Sequence, residues 1–187
     1  MQPRIPRQQV GEQTVGPRHD NDARLSAELA AVVSGARRRA LRDGDRQIDT
    51  AHLLHSLLEY DTGARTVFGD GPEIARLLGY LVQRSIGYGL RWQGSVEDSG
   101  AVPVVTEAEG LSPLAAGAME YAHERAAARG GDPALGVDLL AAIVADPGAR
   151  AVEVLDRAGI DAHEVLSRIE DTLTGTDRPD SWDTSRH

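Results

Sequence analysis

An internal repeat with a spacing of 86 residues is the feature that most constrains the fold of this chain. Shifting residues 25–54 by 86 positions aligns nine identical pairs without a gap. The pairs are Leu25/Leu111, Ser26/Ser112, Ala30/Ala116, Ala36/Ala122, Arg39/Arg125, Ala40/Ala126, Gly44/Gly130, Leu53/Leu139 and Leu54/Leu140. A repeat of this length in 187 residues predicts two copies of one small unit, related by a pseudo-twofold axis.

Both copies carry residues that are typical of helix starts and helix ends. Ser26 and Ser112 suit the N-cap of a first helix, and glycine at positions 44 and 130 suits its left-handed end. Asp49 or Thr50 then caps a second helix that carries the Leu-Leu pair. A short third helix and a fourth helix complete each copy. The sequence therefore predicts an all-α fold of about eight helices in two pseudo-symmetric four-helix repeats.

The second repeat has three further signals. Pro113 follows Ser112 at the first helical position, where its missing N–H costs nothing. Asp146-Pro147 is expected to end one helix and to begin the next. The run from Asp161 to Glu164 is typical of a capping box before the last helix.

Composition and charge narrow the class of protein. Aromatic residues make up only 4% of the chain, so leucine, valine, isoleucine and alanine must build the core. The net charge of −9 opposes a nucleic-acid backbone, and the absence of cysteine excludes disulfides and thiolate metal sites. No run of about 18 apolar residues is present, so no membrane partner is expected. We expect a cytoplasmic protein.

The repeat also sets the domain boundaries. Residues 1–23 are polar and aperiodic and are predicted to be a disordered arm. An ordered double repeat is predicted over 24–172, with repeat one at about 24–90, a linker at about 91–110 and repeat two at about 111–172. Residues 173–187 are predicted to be a disordered tail.

One motif points to a family. The run Ile48-Asp49-Thr50-Ala51-His52-Leu53-Leu54, preceded by Ala40-Leu41-Arg42-Asp43-Gly44, resembles the start of the second helix in Clp amino-terminal domains. The matching run in repeat two is residues 134–140, and residues 151–160 resemble the end of the family repeat. The resemblance covers about residues 24–172. No Walker-type loop follows, and lysine is absent, so the motor module of Clp unfoldases is not indicated.

The resemblance implies a binding function without catalysis. Clp amino-terminal domains receive adaptors and client proteins, and some bind phosphoarginine through a glutamate in each repeat. Ala51 and Val137 stand at those two glutamate positions, which argues against phosphoarginine because no carboxylate is left to pair with a guanidinium. Leu25 and Leu111 replace the phenylalanines to which cyclic peptides bind in actinobacterial members. The high content of arginine, alanine and glycine, with no lysine, also suggests a GC-rich genome such as that of an actinobacterium.

We therefore predict a protein- or peptide-binding module that acts as an adaptor, regulator or decoy in Clp proteolysis. Candidate groove residues are Leu25, Leu29, Ala51, His52, His55, Tyr80, Tyr88, Trp92, Leu111 and Val137. The expected partners are Clp components, adaptors, or client proteins and peptides, with a cyclic peptide or other small molecule as a further ligand. The alternatives are a fold reused as an enzyme or small-molecule binder, and a protein that sequesters antibiotics.

The spacing of two histidines and a glutamate could indicate a metal site. His52, His55 and Glu59 follow one another at helical spacing and could line one face, which is an arrangement that can hold a metal ion. The motif position of His52 favours a packing role, and we expect His55 at the exposed edge. The sequence thus predicts no catalytic residue, no metal and no cofactor.

Overall fold

A computed structural model describes residues 25–69, 71–83, 95–98, 110–130 and 133–175. These residues form eight helices and no strand, which confirms the all-α prediction. The helices are α1 (Ala27–Asp43), α2 (Thr50–Tyr60), α3 (Thr62–Val67), α4 (Pro72–Gln83), α5 (Pro113–Ala128), α6 (Gly136–Ala145), α7 (Arg150–Ala158) and α8 (Ala162–Gly175). The predicted arm at 1–23 lies outside the described residues.

The first helices of the two repeats begin in the same way. Ser26 Oγ accepts from Leu29 N at 3.1 Å, and Ser112 Oγ accepts from Ala115 N at the same distance. Gly44 ends α1 with φ at 73°, in the left-handed region that glycine adopts without a steric penalty. Asp49, rather than Thr50, caps α2 by accepting from His52 N. Side-chain caps therefore set the start of both hairpins, as the sequence indicated.

Two of the expected signals in repeat two act differently. The Asp146-Pro147 pair does not begin α7, which starts at Arg150, because Asp146 Oδ1 accepts from Gly148 N at 2.8 Å and holds a turn. Asp161 caps α8 by accepting from Glu164 N, but the Glu164 carboxylate binds Arg168 instead of reaching back. The last helix also continues to Gly175, three residues past the predicted end of the ordered domain.

Backbone hydrogen bonds link the two repeats in a reciprocal way. Leu25 forms an isolated parallel bridge with Ala134, and Leu111 forms one with Ile48. Ser26 N donates to Ala134 O at 3.1 Å, and Ser112 N donates to Ile48 O at 2.9 Å. Under the 86-residue shift, each bridge is the image of the other. The repeat seen in the sequence is therefore a structural pseudo-twofold.

Contacts between helices also join the two repeats. Within the repeats α1 packs on α2, and α5 packs on α6. The third and fourth helices also cross over, since α3 contacts α6 and α8 while α7 contacts α2 and α4. The fourth pair departs from the 86-residue register, because α8 begins at Ala162, four positions later than the image of Pro72. Each repeat thus completes the other instead of standing alone.

One hydrophobic cluster runs through both repeats. Ala36, Leu53 and Leu54 are fully buried, as are their images Ala122, Leu139 and Leu140. Large aliphatic side chains fill this cluster, in agreement with the low aromatic content. His55, expected at an exposed edge, is 8% exposed, so that expectation is wrong: its face of α2 is covered. In the described parts of the chain, no helix has the length and apolar character needed to cross a bilayer.

Because the two repeats share one core, truncating equivalent leucines in each should lower the free energy of unfolding by similar amounts. Leu54→Ala and Leu140→Ala should each lower the free energy of unfolding by about 2–5 kcal/mol, because each removes a fully buried side chain and leaves a cavity. Leu41→Ala is the control, since Leu41 is 74% exposed, and it should change stability by less than about 0.5 kcal/mol. Urea denaturation followed by circular dichroism measures all three. A small loss at either core position would contradict the packing described above.

Candidate functional site

The inter-repeat segment contributes a buried carboxylate to the boundary between the repeats. Glu97 lies in the described segment 95–98 and is only 3% exposed. Its carboxylate accepts from Thr50 N at 2.9 Å and from Arg150 N at 2.7 Å, and these are the first residues of α2 and α7. It also accepts from the hydroxyls of Thr50 and Ser112. One side chain therefore joins α2, α5 and α7.

The direction of these bonds is fixed by their neighbours. Thr50 Oγ1 accepts from Ala151 N, and Ser112 Oγ accepts from Ala115 N, so both hydroxyl protons are directed at Glu97. Four donors converge on two carboxylate oxygens, which is an arrangement that suits the acceptor-only form of the acid. The site is therefore filled by an acceptor group that the chain itself supplies.

Local sequence explains why α7 receives this carboxylate. Ala149 stands at its N-cap and has no side chain able to accept a hydrogen bond. In repeat one the corresponding short helix α3 has its own cap, because Asp61 Oδ1 accepts from Ala64 N at 2.7 Å. The Asp61 carboxylate also lies against Gly136 at the start of α6, where there is no room for a Cβ atom. Asp61 and Glu97 thus lie at equivalent pairs of helix ends.

Arg150, at the start of α7, also binds the inter-repeat segment. Its guanidinium donates to Asp49 Oδ2 at 2.8 Å and to the carbonyl and hydroxyl oxygens of Ser95 at 2.9 and 2.8 Å. Arg150 therefore connects the N-cap of α2, the inter-repeat segment and the start of α7. A pocket of about 430 Å³ opens beside this contact, bordered by residues 95–98 and 147–150 together with Glu153 and Asp156. Its walls are mainly polar.

A second cluster of titratable groups lies at the turn between α1 and α2. His52 is 1% exposed, and its Nδ1 accepts from Asp49 N at 3.1 Å. Its Nε2 lies 3.2 Å from Asp45 Oδ2 and 3.8 Å from Asp43 Oδ2. The images of Asp43 and His52 in repeat two are Arg129 and Asp138, which form an ion pair. The charges of this pair are thus exchanged between the repeats.

His55 is shaped by a different environment from that of His52. Burial, reinforced by the positive charge of Arg39, lowers the pKa of His55 from its usual 6.5 to about 4. Arg39 in turn pairs with Glu59. The structure therefore separates the three residues of the suggested metal face, because His52 turns to the α1–α2 turn while His55 and Glu59 lie beside Arg39.

The predicted groove residues fall into several settings. Leu29 and Ala51 are fully buried, and His52 and His55 are nearly so. Leu25, Leu111 and Val137 are half-buried and pack against the core. Tyr80 is 39% exposed on α4, while Tyr88 and Trp92 lie outside the described residues.

Glu97 is the site residue that sequence reasoning missed. It lies in a connection with no periodicity, so no pattern marks which of its acidic residues is buried. One signal was present: Ala149 precedes a helix without a capping side chain, and a buried helix end needs a partner from elsewhere. That argument predicts an acceptor but does not say where in the chain it lies.

Comparison with known proteins identifies the fold. The chain matches the crystal structure of the N-terminal domain of the caseinolytic protease associated chaperone ClpD from Arabidopsis thaliana. The TM-score is 0.59 at 19% identity, and the match covers 81% of this chain and 96% of that one. No family model and no curated protein matches the sequence. The described chain thus has the fold of a Clp N-terminal domain, as the motif at residues 48–54 suggested.

Replacing Glu97 tests its role as the link between the repeats. Glu97→Gln should lower the free energy of unfolding by about 1–3 kcal/mol, because an amide places an NH2 group among donors that then lack an acceptor. Asp98→Asn, at the exposed neighbouring position, is the matched control and should have little effect. Urea denaturation of both variants is the measurement. Equal stability of the two variants would refute the structural role of the Glu97 carboxylate.

Protonation of His55 should make stability depend on pH. The unfolded chain takes up a proton near pH 6.5 and the folded chain only near pH 4, so stability is complete above pH 6.5 and falls as the pH drops towards 4. The contribution of His55 to this loss is about 1–3 kcal/mol. His55→Leu should flatten the slope over that range, whereas His163→Gln, at an exposed position, should keep it. Denaturation series between pH 4 and 7 measure the difference; the same slope in both variants would contradict the assignment.

Proposed function

We propose that this chain is a protein- or peptide-binding module that acts as an adaptor, regulator or decoy in Clp-type proteolysis. The observation that supports this most strongly is the fold, which is that of the N-terminal domain of a protease-associated chaperone.

The pseudo-twofold suggests where a partner binds. Leu25 and Leu111 occupy equivalent positions at the two inter-repeat bridges, and each keeps part of its side chain at the surface. Aliphatic residues in such places suit the apolar side chains of an extended or unfolded client. Tyr80 adds an exposed aromatic ring on α4, a residue type that is enriched in protein interfaces.

The chemistry of the ligand differs from that of phosphoarginine. Ala51 is fully buried and Val137 is half-buried against the core, so neither position supplies a carboxylate for a guanidinium. Glu97 and Asp49 are buried acids near Thr50, but the oxygens of Glu97 already accept four hydrogen bonds, and Asp49 pairs with Arg150. The proposed ligand is therefore an apolar peptide segment rather than a modified arginine.

A direct binding experiment tests the proposal. Fluorescently labelled casein, which is unstructured, and the purified Clp unfoldase of the source organism are each titrated with the full chain. We expect saturable binding to at least one of them and a concentration-dependent change in casein degradation by the complete Clp protease. No binding of either probe at tens of micromolar, with no effect on degradation, would refute the proposal.

Matched variants locate the surface. Leu25→Ser and Leu111→Ser should each weaken binding at least about fivefold, as expected for apolar contacts near the centre of an interface. Leu41→Ser is the control, because Leu41 is exposed on α1 and belongs to neither bridge. Urea denaturation of each variant separates a loss of binding from a loss of folding. Equal affinities of all three variants would move the binding surface elsewhere.

The pocket beside Glu97 supports a second candidate, a module that binds a small polar molecule. Its volume of about 430 Å³ lies within the usual range for ligand pockets, although most of those are lined by apolar residues. Native mass spectrometry of chain purified from its source distinguishes the two. A stoichiometric bound metabolite favours this candidate, and its absence together with casein binding favours the first.

A further inference from the structure

The outer side of α1 is a basic surface on a chain that is acidic overall. Arg37, Arg38 and Arg42 are exposed there, and Leu41, which is 74% exposed, lies among them. These side chains share one side of the helix, because residues three and four apart are neighbours on a helix surface. We call residues 37, 38, 41 and 42 the basic face. On a chain with a net charge of −9, this concentration of positive charge suits a negatively charged protein surface.

Contacts inside repeat one position part of the basic face. The guanidinium of Arg38 lies over the ring of Tyr60, with its Cζ atom 5.9 Å from the ring centroid, and donates to the Tyr60 hydroxyl at 3.3 Å. The ring in turn packs closely on α1 at Gly35, where there is no room for a Cβ atom. Because α1 packs on α2 and α6, its basic face lies on the side turned away from the core.

The equivalent surface of repeat two is acidic. Under the 86-residue shift, Arg38 corresponds to Glu124 on α5. Glu120 lies one turn before Glu124, and both are exposed, as is Tyr121 beside them at 45%. We call residues 120, 121 and 124 the acidic face. Arg125 does not offset its charge, because the Arg125 guanidinium forms an ion pair within repeat two.

We propose that the basic face of one copy of this chain binds the acidic face of a second copy. The charges of the two faces are opposite, and each face carries a large exposed hydrophobic side chain, Leu41 on one and Tyr121 on the other. Arginine and tyrosine are both enriched at protein interfaces. The helices that carry the faces also match in length, with 17 residues in α1 and 16 in α5.

A contact of this kind joins two different surfaces and leaves one of each open. A copy whose basic face is bound still presents its acidic face, so a third copy can add to it. Such contacts produce open chains, or a ring when the rotation between neighbours closes. Two basic faces would repel each other, which excludes a symmetric pair through α1. Neither face contains Leu25 or Leu111, so this contact is separate from the client-binding surface proposed above.

The size of the faces indicates weak association. A contact between two single helix faces belongs with interfaces of less than about 1,200 Å² in total, which are typical of transient complexes, and we expect a dissociation constant of about 100 μM. At the micromolar concentrations of a denaturation experiment the chain is therefore monomeric, and Leu41 is exposed to solvent.

Analytical ultracentrifugation of the full chain tests the contact. Between about 10 μM and about 1 mM at low salt, the weight-average mass should rise from that of a monomer to more than that of a dimer. In about 0.5 M NaCl the mass should return towards that of a monomer, because salt screens exposed charges. A chain that stays monomeric at about 1 mM and low salt would overturn the proposal, including the case in which its basic face binds polyglutamate instead.

Charge-reversal variants identify the two faces. Arg38→Glu and Glu124→Arg should each weaken self-association at least about tenfold, because each places like charges across the contact. An equimolar mixture of the two should associate again, since the unchanged acidic face of the first variant meets the unchanged basic face of the second. Arg65→Glu makes the same change in net charge at an exposed position of α3 and should associate as the unaltered chain does.

Circular dichroism checks that each variant keeps its helical fold, as expected for exposed positions. Undiminished association of Arg38→Glu or Glu124→Arg would overturn the proposal. The same holds for a mixture that fails to recover, or for a loss of association in Arg65→Glu.

Discussion

The reciprocal exchange of backbone hydrogen bonds between the repeats is the constraint on which the rest of the structure depends. The segment before α1 pairs with the loop before α6, and the segment before α5 pairs with the loop before α2. These bridges place the N-termini of the second and third helices near the boundary between the repeats. The backbone N–H groups at a buried helix N-terminus need acceptors, and the carboxylates of Glu97 and Asp61 supply them.

Local rules predicted the parts of the fold that depend on a few neighbouring residues. Ser26, Ser112 and Gly44 act as the sequence indicated, because caps and left-handed turns are decided within one helical turn. The 86-residue repeat also predicted the pairing of the halves. The start of α7 was missed, because a turn held by Asp146 competes with helix initiation at Pro147, and both choices satisfy the same local signal.

The candidate site was less predictable because it depends on contacts distant in sequence. Glu97 bonds to residues 47 and 53 positions away, and Arg150 bonds to Asp49 across 101 positions. No periodicity marks such contacts in advance. His55 is a second example. Its position in α2 indicated an exposed edge, but neighbouring elements of the fold bury it. The resemblance in residues 48–54 predicted the fold but not the surroundings of His52.

The repeats share a backbone but differ in their charged residues. Asp61 caps its own repeat, whereas α7 receives its acid from the inter-repeat segment, and the pair Asp43/His52 becomes Arg129/Asp138. Duplication conserves the helix framework because the core and the bridges demand it. Buried polar positions can diverge as long as each copy keeps a compatible set of partners.

The contacts of Arg150 also order events during synthesis. The first repeat leaves the ribosome with the N-terminus of α2 open, because Thr50 bonds to Glu97 and Asp49 bonds to the guanidinium of Arg150, and both partners are made later. A chain that stops earlier keeps its leucine-rich face without a cover, and such surfaces attract chaperones and proteases. The first repeat therefore acquires its full set of contacts only when the second repeat has been made.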